Sequence, residues 1–351
     1  MLERLKHYPF MSLILNDEMA ADSAEAKRRL VKELVNNKES LKTCGIRLIN
    51  HVIKEYKKEQ NLLKPHVNEI LHSIFFLGIM YHLTPNDFLT VNTAESLNQI
   101  FPDPFKKYKS HLPKRTPFSV LLDIMVLKYD TEERVMEELC SLLKEWKFPQ
   151  PLYKPGNKMQ NFYTLESTAI CVCFNSHDPS KVYFGASLGC RKKAKSIMIY
   201  SSCINTWHDH VSNVVMAYSH QQQNGDDLNL WLPRLNFSQS MKCQAYLRDW
   251  SENKYIEILP CLNCQRMFSL PGEEREQEFY PYGNCAETEC LSKLLLNDDF
   301  MQENTDIENY SQEQMADLKT QTINTLRKLL ASIPSLSKMN RDVLPVFIPD
   351  S

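Results

Sequence analysis

The chain has 351 residues, of which 43% are hydrophobic and 24% are charged, a composition that is typical of a folded globular protein and not of a disordered one. Lys and Arg number 41 against 43 Asp and Glu, and this balance argues against a polybasic nucleic-acid or membrane binder. Only 8 residues are glycine, and no glycine-rich phosphate-binding motif occurs, which disfavours the nucleotide-binding folds built on such loops.

The first 150 residues are predicted to be helical. Apolar residues recur at helical spacing along residues 23–60, and a more apolar helix follows at 66–82. Shorter helices are predicted at 92–100 and 117–127. The segment 131–146 has an N-capping residue, acids in its first turn and lysines near its end, as the helix dipole favours.

A proline-rich connector marks the predicted domain boundary. Pro149, Pro151 and Pro155 cannot continue a helix, so we expect a helical domain at 1–150 and a second domain at 151–351. The second domain mixes β-rich runs with helical patterns, which predicts an α/β or α+β architecture. Its predicted strands lie at 168–174, 181–188, 196–200, 255–259 and 343–348, and its predicted helices at 205–218, 285–296 and 311–332, with an acidic loop at 298–311.

Two short motifs hold the residues best suited to chemistry. The segment P-C-L-N-C at 260–264 follows a predicted strand, and C-A-E at 285–287 opens a predicted helix. The thiolates of Cys261, Cys264 and Cys285 can form a tripod for Zn²⁺ that leaves a fourth tetrahedral position for water. Zn²⁺ lowers the pKa of a bound water toward neutrality, and Glu287 is placed to move its protons.

These motifs resemble the two zinc motifs of the cytidine-deaminase-like superfamily, H/C-x-E and P-C-x-x-C, over at most residues 167–296. The helical pattern of residues 1–150 and the amphipathic pattern at 311–332 predict an α+β fold in which an all-helical domain precedes an α/β domain with a C-terminal amphipathic helix. The resemblance implies that this α/β domain is deaminase-like, with a roughly five-stranded mixed sheet. It also implies a hydrolase that deaminates a cytosine-like base, with Cys261, Cys264 and Cys285 as Zn²⁺ ligands and Glu287 as the catalytic proton carrier.

The order of the two motifs is reversed relative to the family. Here P-C-x-x-C precedes C-x-E by only 20 residues, so a permutation or local rearrangement is needed to restore the family geometry. In the usual order the first motif would fall near His208, but His210 then stands where the glutamate belongs. That arrangement would be a zinc-binding pseudoenzyme.

Several alternatives remain open at this stage. Cys261, Cys264, Cys285 and Cys290 follow C-x₂-C-x₂₀-C-x₄-C, close to the spacing of a structural Cys₄ zinc site. Against it, residues five apart on a helix point some 140° apart, at about 100° per residue. Glu287 could also be an ordinary first-turn acid, and the chain could be a non-enzymatic adaptor with a structural metal or none.

The cysteine content also bears on where the protein is located. Eleven cysteines occur without a recognisable secretory signal, so we expect reduced thiols or metal ligands and a cytoplasmic or nuclear protein. Cys171, Cys173 and Cys190 are predicted to be small buried hydrophobes. The expected partners are a nucleoside or nucleic acid and a protein bound by the helical domain, with no membrane.

Overall fold

The computed structural model describes residues 24–146, 165–224, 232–273, 280–336 and 339–349, and its first half is helical. Two of these helices begin at threonines, Thr90 and Thr116, whose hydroxyls accept hydrogen bonds from backbone N–H groups of the first turn. The helices of this half are α1 Ala24–Tyr56, α2 Gln60–Ile79, α3 Pro85–Phe88, α4 Val91–Ile100, α5 Pro102–Lys107, α6 Pro117–Lys128 and α7 Glu132–Trp146.

Strands and helices alternate irregularly in the second half. The strands are β1 Ala169–Asn175, β2 Asp178–Ala186, β3 Arg234–Asn236, β4 Met241–Asp249, β5 Lys254–Ile258 and β6 Asp306–Glu308. The helices are α8 Lys192–Asn205, α9 Asp209–Asn224, α10 Leu262–Phe268, α11 Ala286–Asn297, α12 Asp299–Glu303 and α13 Gln312–Ala331, followed by a 3₁₀ turn at Pro334–Leu336. One antiparallel sheet has the order β2-β1-β4-β5, and β3 pairs with β6 in a separate ribbon.

The predicted mixture of helix and sheet and the helical N-terminal region are confirmed. The main sheet differs from the expectation, because within the described residues it has four antiparallel strands instead of about five mixed ones. Residues 196–200 lie inside α8, and 343–348 contribute only an isolated bridge between Val346 and Leu112. The acidic segment 298–311, expected to be a loop, contains α12 and β6.

Strand β1 separates two hydrophobic clusters because its side chains alternate between the two faces of the sheet. Ile170 and Val172 pack into the cluster formed with the N-terminal helices, whereas Cys171 and Cys173 belong to the cluster on the other face. Helix α11 covers that second face. The connector prolines and the boundary near residue 150 lie outside the described residues, so the two-domain division stays a prediction.

A chain of ion pairs joins the helical half to α11. Both guanidinium edges of Arg115 reach acids, because Nε and Nη2 donate to Glu69 at 2.9 Å each and Nη1 donates to Asp123. Asp123 also accepts from Lys293 Nζ at 2.7 Å, and Lys293 lies 3.2 Å from Glu289. Because Lys293 and Glu289 are residues of α11, the network fixes this helix against α2 and α6. None of the described helices is long and apolar enough to cross a membrane.

Candidate metal centre

Two helix N-termini position the three predicted ligands. Cys261 is the N-cap residue of α10, Cys264 lies in the first turn of that helix, and Cys285 is the N-cap residue of α11. Pro260 ends the preceding extended segment and introduces the turn into α10. The positive ends of two helix dipoles therefore meet at the sulfurs, which favours the thiolate form of a cysteine.

The structure brings the three sulfurs together. The Sγ atoms of Cys261, Cys264 and Cys285 all lie within 4.8 Å of one another, and those of Cys261 and Cys285 are 3.4 Å apart. Tetrahedral Zn–S bonds of about 2.3 Å separate two sulfurs by about 3.8 Å. The three cysteines could thus hold a metal ion, and a donor set of three sulfurs suits a soft or borderline ion such as Zn²⁺.

The thiols interact strongly with each other. Hydrogen bonds from Cys264 and Cys285 lower the pKa of Cys261 to about 3. The same interactions, together with burial, hold the pKa of Cys264 well above its usual range. Cys261 is therefore the thiol of the group that loses its proton most readily.

Glu287 lies beside the sulfurs and is 4% exposed. Burial raises the pKa of its carboxyl to about 8, and the nearby Cys243 and Cys261 add to the effect. Within the described part of the chain, no ion pair involves Glu287. A buried carboxyl that has no cation as a partner can gain or lose a proton near neutral pH.

Glu289, two residues further along α11, has the opposite surroundings. Its carboxylate accepts from the Ala186 backbone N–H at 3.0 Å and from the Ser119 hydroxyl, and it pairs with Lys293. Ala186 belongs to β2 and Ser119 to α6, so these two hydrogen bonds hold α11 against both elements. Glu289 is therefore a structural carboxylate, and Glu287 is the one that faces the cysteines.

The segment before Cys285 depends on a glycine. Gly283 has a φ of +82°, and a Cβ there would come within 2.9 Å of Val215 and 3.2 Å of Trp207. The carbonyl of Asn284 then accepts a hydrogen bond from the Leu188 backbone N–H at 3.0 Å. Because Gly283 has no side chain, this segment can pass close to α9, and Cys285 then lies beside Cys261.

A small cavity adjoins Cys285. It measures about 10 Å³, about the space that one water molecule needs, and Ser202, Trp207, Gly283 and Glu289 contribute to its wall. A wider cavity of about 540 Å³ lies elsewhere, among charged side chains of α1, α6 and α7. The cavity beside Cys285 therefore has room for about one water molecule.

Two candidates that the sequence left open do not join the three cysteines. Cys290 instead donates its S–H to the Tyr183 carbonyl at 3.1 Å, as expected for a residue five positions after Cys285 on a helix. The backbone N–H of His208 donates to the Ser292 hydroxyl, and the His208 Nδ1 accepts a hydrogen bond from the His210 backbone N–H at 3.2 Å. Neither belongs to a group of converging ligands.

A second group of cysteines was missed at the sequence level. Cys171, Cys173 and Cys190 are buried, as predicted for small hydrophobes. The sulfurs of Cys171, Cys173 and the half-buried Cys243, however, also lie within 4.8 Å of one another. The C-x-C spacing on a β-strand was the available signal, because it places both sulfurs on one face. The third partner comes from β4 and could not be read from local sequence.

Comparisons with known proteins identify no family for this chain. No protein-family model, no curated protein and no solved structure matches the chain.

Proposed function

We propose that Cys261, Cys264 and Cys285 bind Zn²⁺ and that the protein is a hydrolytic deaminase of a cytosine-like base, with Glu287 as its proton carrier. The observation that carries the proposal is the pairing of a three-sulfur group with a buried carboxyl that makes no ion pair within the described residues. When bound, zinc would supply a water of lowered pKa at its fourth position.

The chain's own residues account for the remaining requirements. The Glu287 carboxyl can accept a proton from water and release it to the amino group that leaves as ammonia, since burial keeps its pKa near neutrality. The α10 and α11 N-termini stabilise the thiolates. The ion pairs of Glu289 and Lys293 hold α11, so that the position of Glu287 relative to the sulfurs is fixed.

Metal content is the first test of this proposal. We expect purified protein to contain stoichiometric zinc and Cys261→Ala to lose it, because two sulfurs with water hold Zn²⁺ poorly. Elemental analysis and native mass spectrometry measure this directly. Cys203→Ala is the matched control, since Cys203 is a buried thiol of α8 outside both cysteine groups. Equal zinc in both variants would remove the metal centre from the proposal.

The catalytic assignment is tested by Glu287→Gln. The amide keeps the shape of the side chain but cannot carry the proton, so we expect zinc and fold to be retained and deamination to fall by at least about 100-fold. The probes are cytidine, deoxycytidine and cytosine-containing single-stranded DNA and RNA, with ammonia release as the readout. Unchanged activity in the variant would contradict the role of Glu287.

A second candidate function is a non-enzymatic adaptor with a structural metal site. The space of about 10 Å³ beside Cys285 favours it, because a structural centre needs no entry for substrate. In that case chelation would unfold the protein, and none of the four probes would be deaminated by the zinc-loaded wild type.

A further inference from the structure

Three cysteines outside the proposed centre converge beneath α11. The Sγ atoms of Cys171 and Cys243 are 3.4 Å apart, and those of Cys171 and Cys173 are 3.7 Å apart. All three sulfurs lie within 4.8 Å of one another. Sulfurs that share a tetrahedral zinc ion are separated by about 3.8 Å, so the group already has the dimensions of a metal site.

Strand pairing explains how the group forms. Cys171 and Cys173 are alternate residues of β1 and project to the same face, and Cys243 of β4 stands opposite Cys173. The register is fixed along seven residue pairs, from Ala169 opposite Leu247 to Asn175 opposite Met241. The three thiols are therefore held by rigid elements and need no rearrangement to meet one ion.

A fourth sulfur adjoins the group from α11. Cys290 interacts with both Cys171 and Cys173, and its S–H reaches the Tyr183 carbonyl at 3.1 Å. Among the residues that the structure describes, no His, Asp or Glu belongs to the group, so the donor set is entirely sulfur. Three thiolates around Zn²⁺ carry a net charge of −1, which a buried site tolerates better than the −2 that they carry with Cu(I).

Packing alone does not explain this arrangement. Cys44, Cys190 and Cys203 are also buried free thiols, and none of them belongs to a group of converging sulfurs. The alternate positions of β1, Ile170 and Val172, are branched aliphatic residues, the usual choice for a buried strand. A single disulfide would use two of the three sulfurs and leave the third buried beside it.

We propose that Cys171, Cys173 and Cys243 bind a second Zn²⁺ ion, which links β1 to β4 beneath α11. This inference is independent of the function proposed above, because the two cysteine groups share no residue. The chain would then bind two zinc ions, one at each group.

Zinc stoichiometry in the full chain tests the proposal. We expect native mass spectrometry of protein refolded with Zn²⁺ to show two ions per wild-type chain and one per chain for Cys243→Ala. Cys261→Ala should also bind one, and the double variant none. Cys203→Ala, the matched buried thiol, should keep two. If the Cys243→Ala variant and the control bind the same number of ions, the second site does not exist.

A titration of the wild type with Co²⁺ needs no substitution and guards against a variant that fails to fold. The thiolate-to-cobalt absorption should saturate at two equivalents, and bands of tetrahedral cobalt should accompany both steps. Saturation at one equivalent would overturn the second site while leaving the first intact. The loss of one equivalent of Co²⁺ in Cys261→Ala, by contrast, tests only the centre proposed at Cys261, Cys264 and Cys285. A disulfide recovered among Cys171, Cys173 and Cys243 in zinc-loaded protein would also overturn the inference.

Discussion

At the scale of single residues, two glutamates of α11 show how surroundings decide a role. Glu287 and Glu289 are both first-turn acids, and the helix dipole alone accounts for the presence of either. One faces three thiols, and the other is held by a hydroxyl, a backbone N–H and an ammonium group. Sequence position alone could not have separated them, because the partners that decide the difference, Ser119 and Ala186 for Glu289 and Cys243 and Cys261 for Glu287, lie far away in the chain.

The structural role of Glu289 predicts a large loss of stability in Glu289→Ala. The substitution leaves the Ala186 N–H buried without its acceptor and removes one of the carboxylates that pair with Lys293. We therefore expect the free energy of unfolding, measured in urea, to fall by about 2 to 4 kcal/mol. Glu313→Ala, in the exposed first turn of α13, is the control and should change stability by less than about 0.5 kcal/mol. Equal effects would show that Glu289 acts only on the helix dipole.

The proposed ligands were open to prediction from sequence because they lie in two short motifs. The residues C-x-x-C and C-A-E each open a helix, and helix geometry correctly placed Cys290 away from Cys285. The Cys171, Cys173 and Cys243 group was not, since it requires the pairing of β1 with β4, strands separated by more than 60 residues. The size of the cavity beside Cys285 could not be predicted either, because residues from distant parts of the chain form its wall.

At the scale of elements, the contact between α11 and β2 determines where the centre sits. Gly185 of β2 lies directly under the helix, and a Cβ there would be 2.3 Å from the Ala286 carbonyl oxygen and 2.4 Å from the Cys290 backbone nitrogen. Both neighbours are backbone atoms that cannot rotate away. The glycine is thus required for the close approach of helix and strand.

Gly185→Ala is therefore expected to displace α11. We expect a loss of about 1 to 3 kcal/mol in the free energy of unfolding, together with weaker zinc retention, because α11 begins at Cys285. Gly78→Ala in α2 is the control, since its nearest neighbour is a Phe88 ring carbon at 3.0 Å. Zinc affinity, measured by competition with a chelator, should fall in Gly185→Ala but not in Gly78→Ala. An unchanged affinity in Gly185→Ala would show that the contact between β2 and α11 does not position Cys285.

The elements themselves were predicted unevenly, for a physical reason. Long amphipathic patterns such as α7 and α13 were found because their period repeats several times. The short apolar run at 196–200 was interpreted as a strand but lies in α8, since a run of five residues fits a buried strand or a buried helix equally well. The four-stranded order of the sheet follows from pairings that no local pattern specifies.

At the scale of the whole molecule, the C-terminal segment around Phe347 packs on the helical half. Phe347 is fully buried and stacks on the His72 ring of α2, with ring centroids 4.0 Å apart. Backbone hydrogen bonds between Leu112 and residues 345 and 347, of 2.7 and 2.8 Å, hold the two segments together. The helical half therefore contacts both α11 and the C-terminal segment.

This contact predicts a dependence of stability on pH. Burial, with smaller contributions from the charges of His111 and Lys107, lowers the pKa of His72 from 6.5 to about 3. As pH falls below 6.5 the unfolded chain binds a proton that the folded chain refuses, so stability is complete above pH 6.5 and declines toward pH 3. Between pH 7 and pH 5 the loss from this residue is about 2 kcal/mol.

His72→Phe is the variant that isolates this effect. The phenyl ring can keep the stacking on Phe347 but does not titrate, so urea unfolding at pH 7 and pH 5 should differ less than in the wild type. His177→Phe provides a comparison at a histidine on the turn between β1 and β2. The same pH difference in wild type and His72→Phe would assign the acid sensitivity to other groups.

The ion pairs that join Arg115 and Asp123 to Lys293 and Glu289 affect both folding during synthesis and the response of the protein to proteolysis. During synthesis the residues that anchor α11 emerge long before it, so the helix finds its support already in place. Cleavage of the peptide backbone anywhere between residues 147 and 164 would sever the covalent link but none of these contacts. The two pieces should then remain together as a noncovalent pair that elutes as one species.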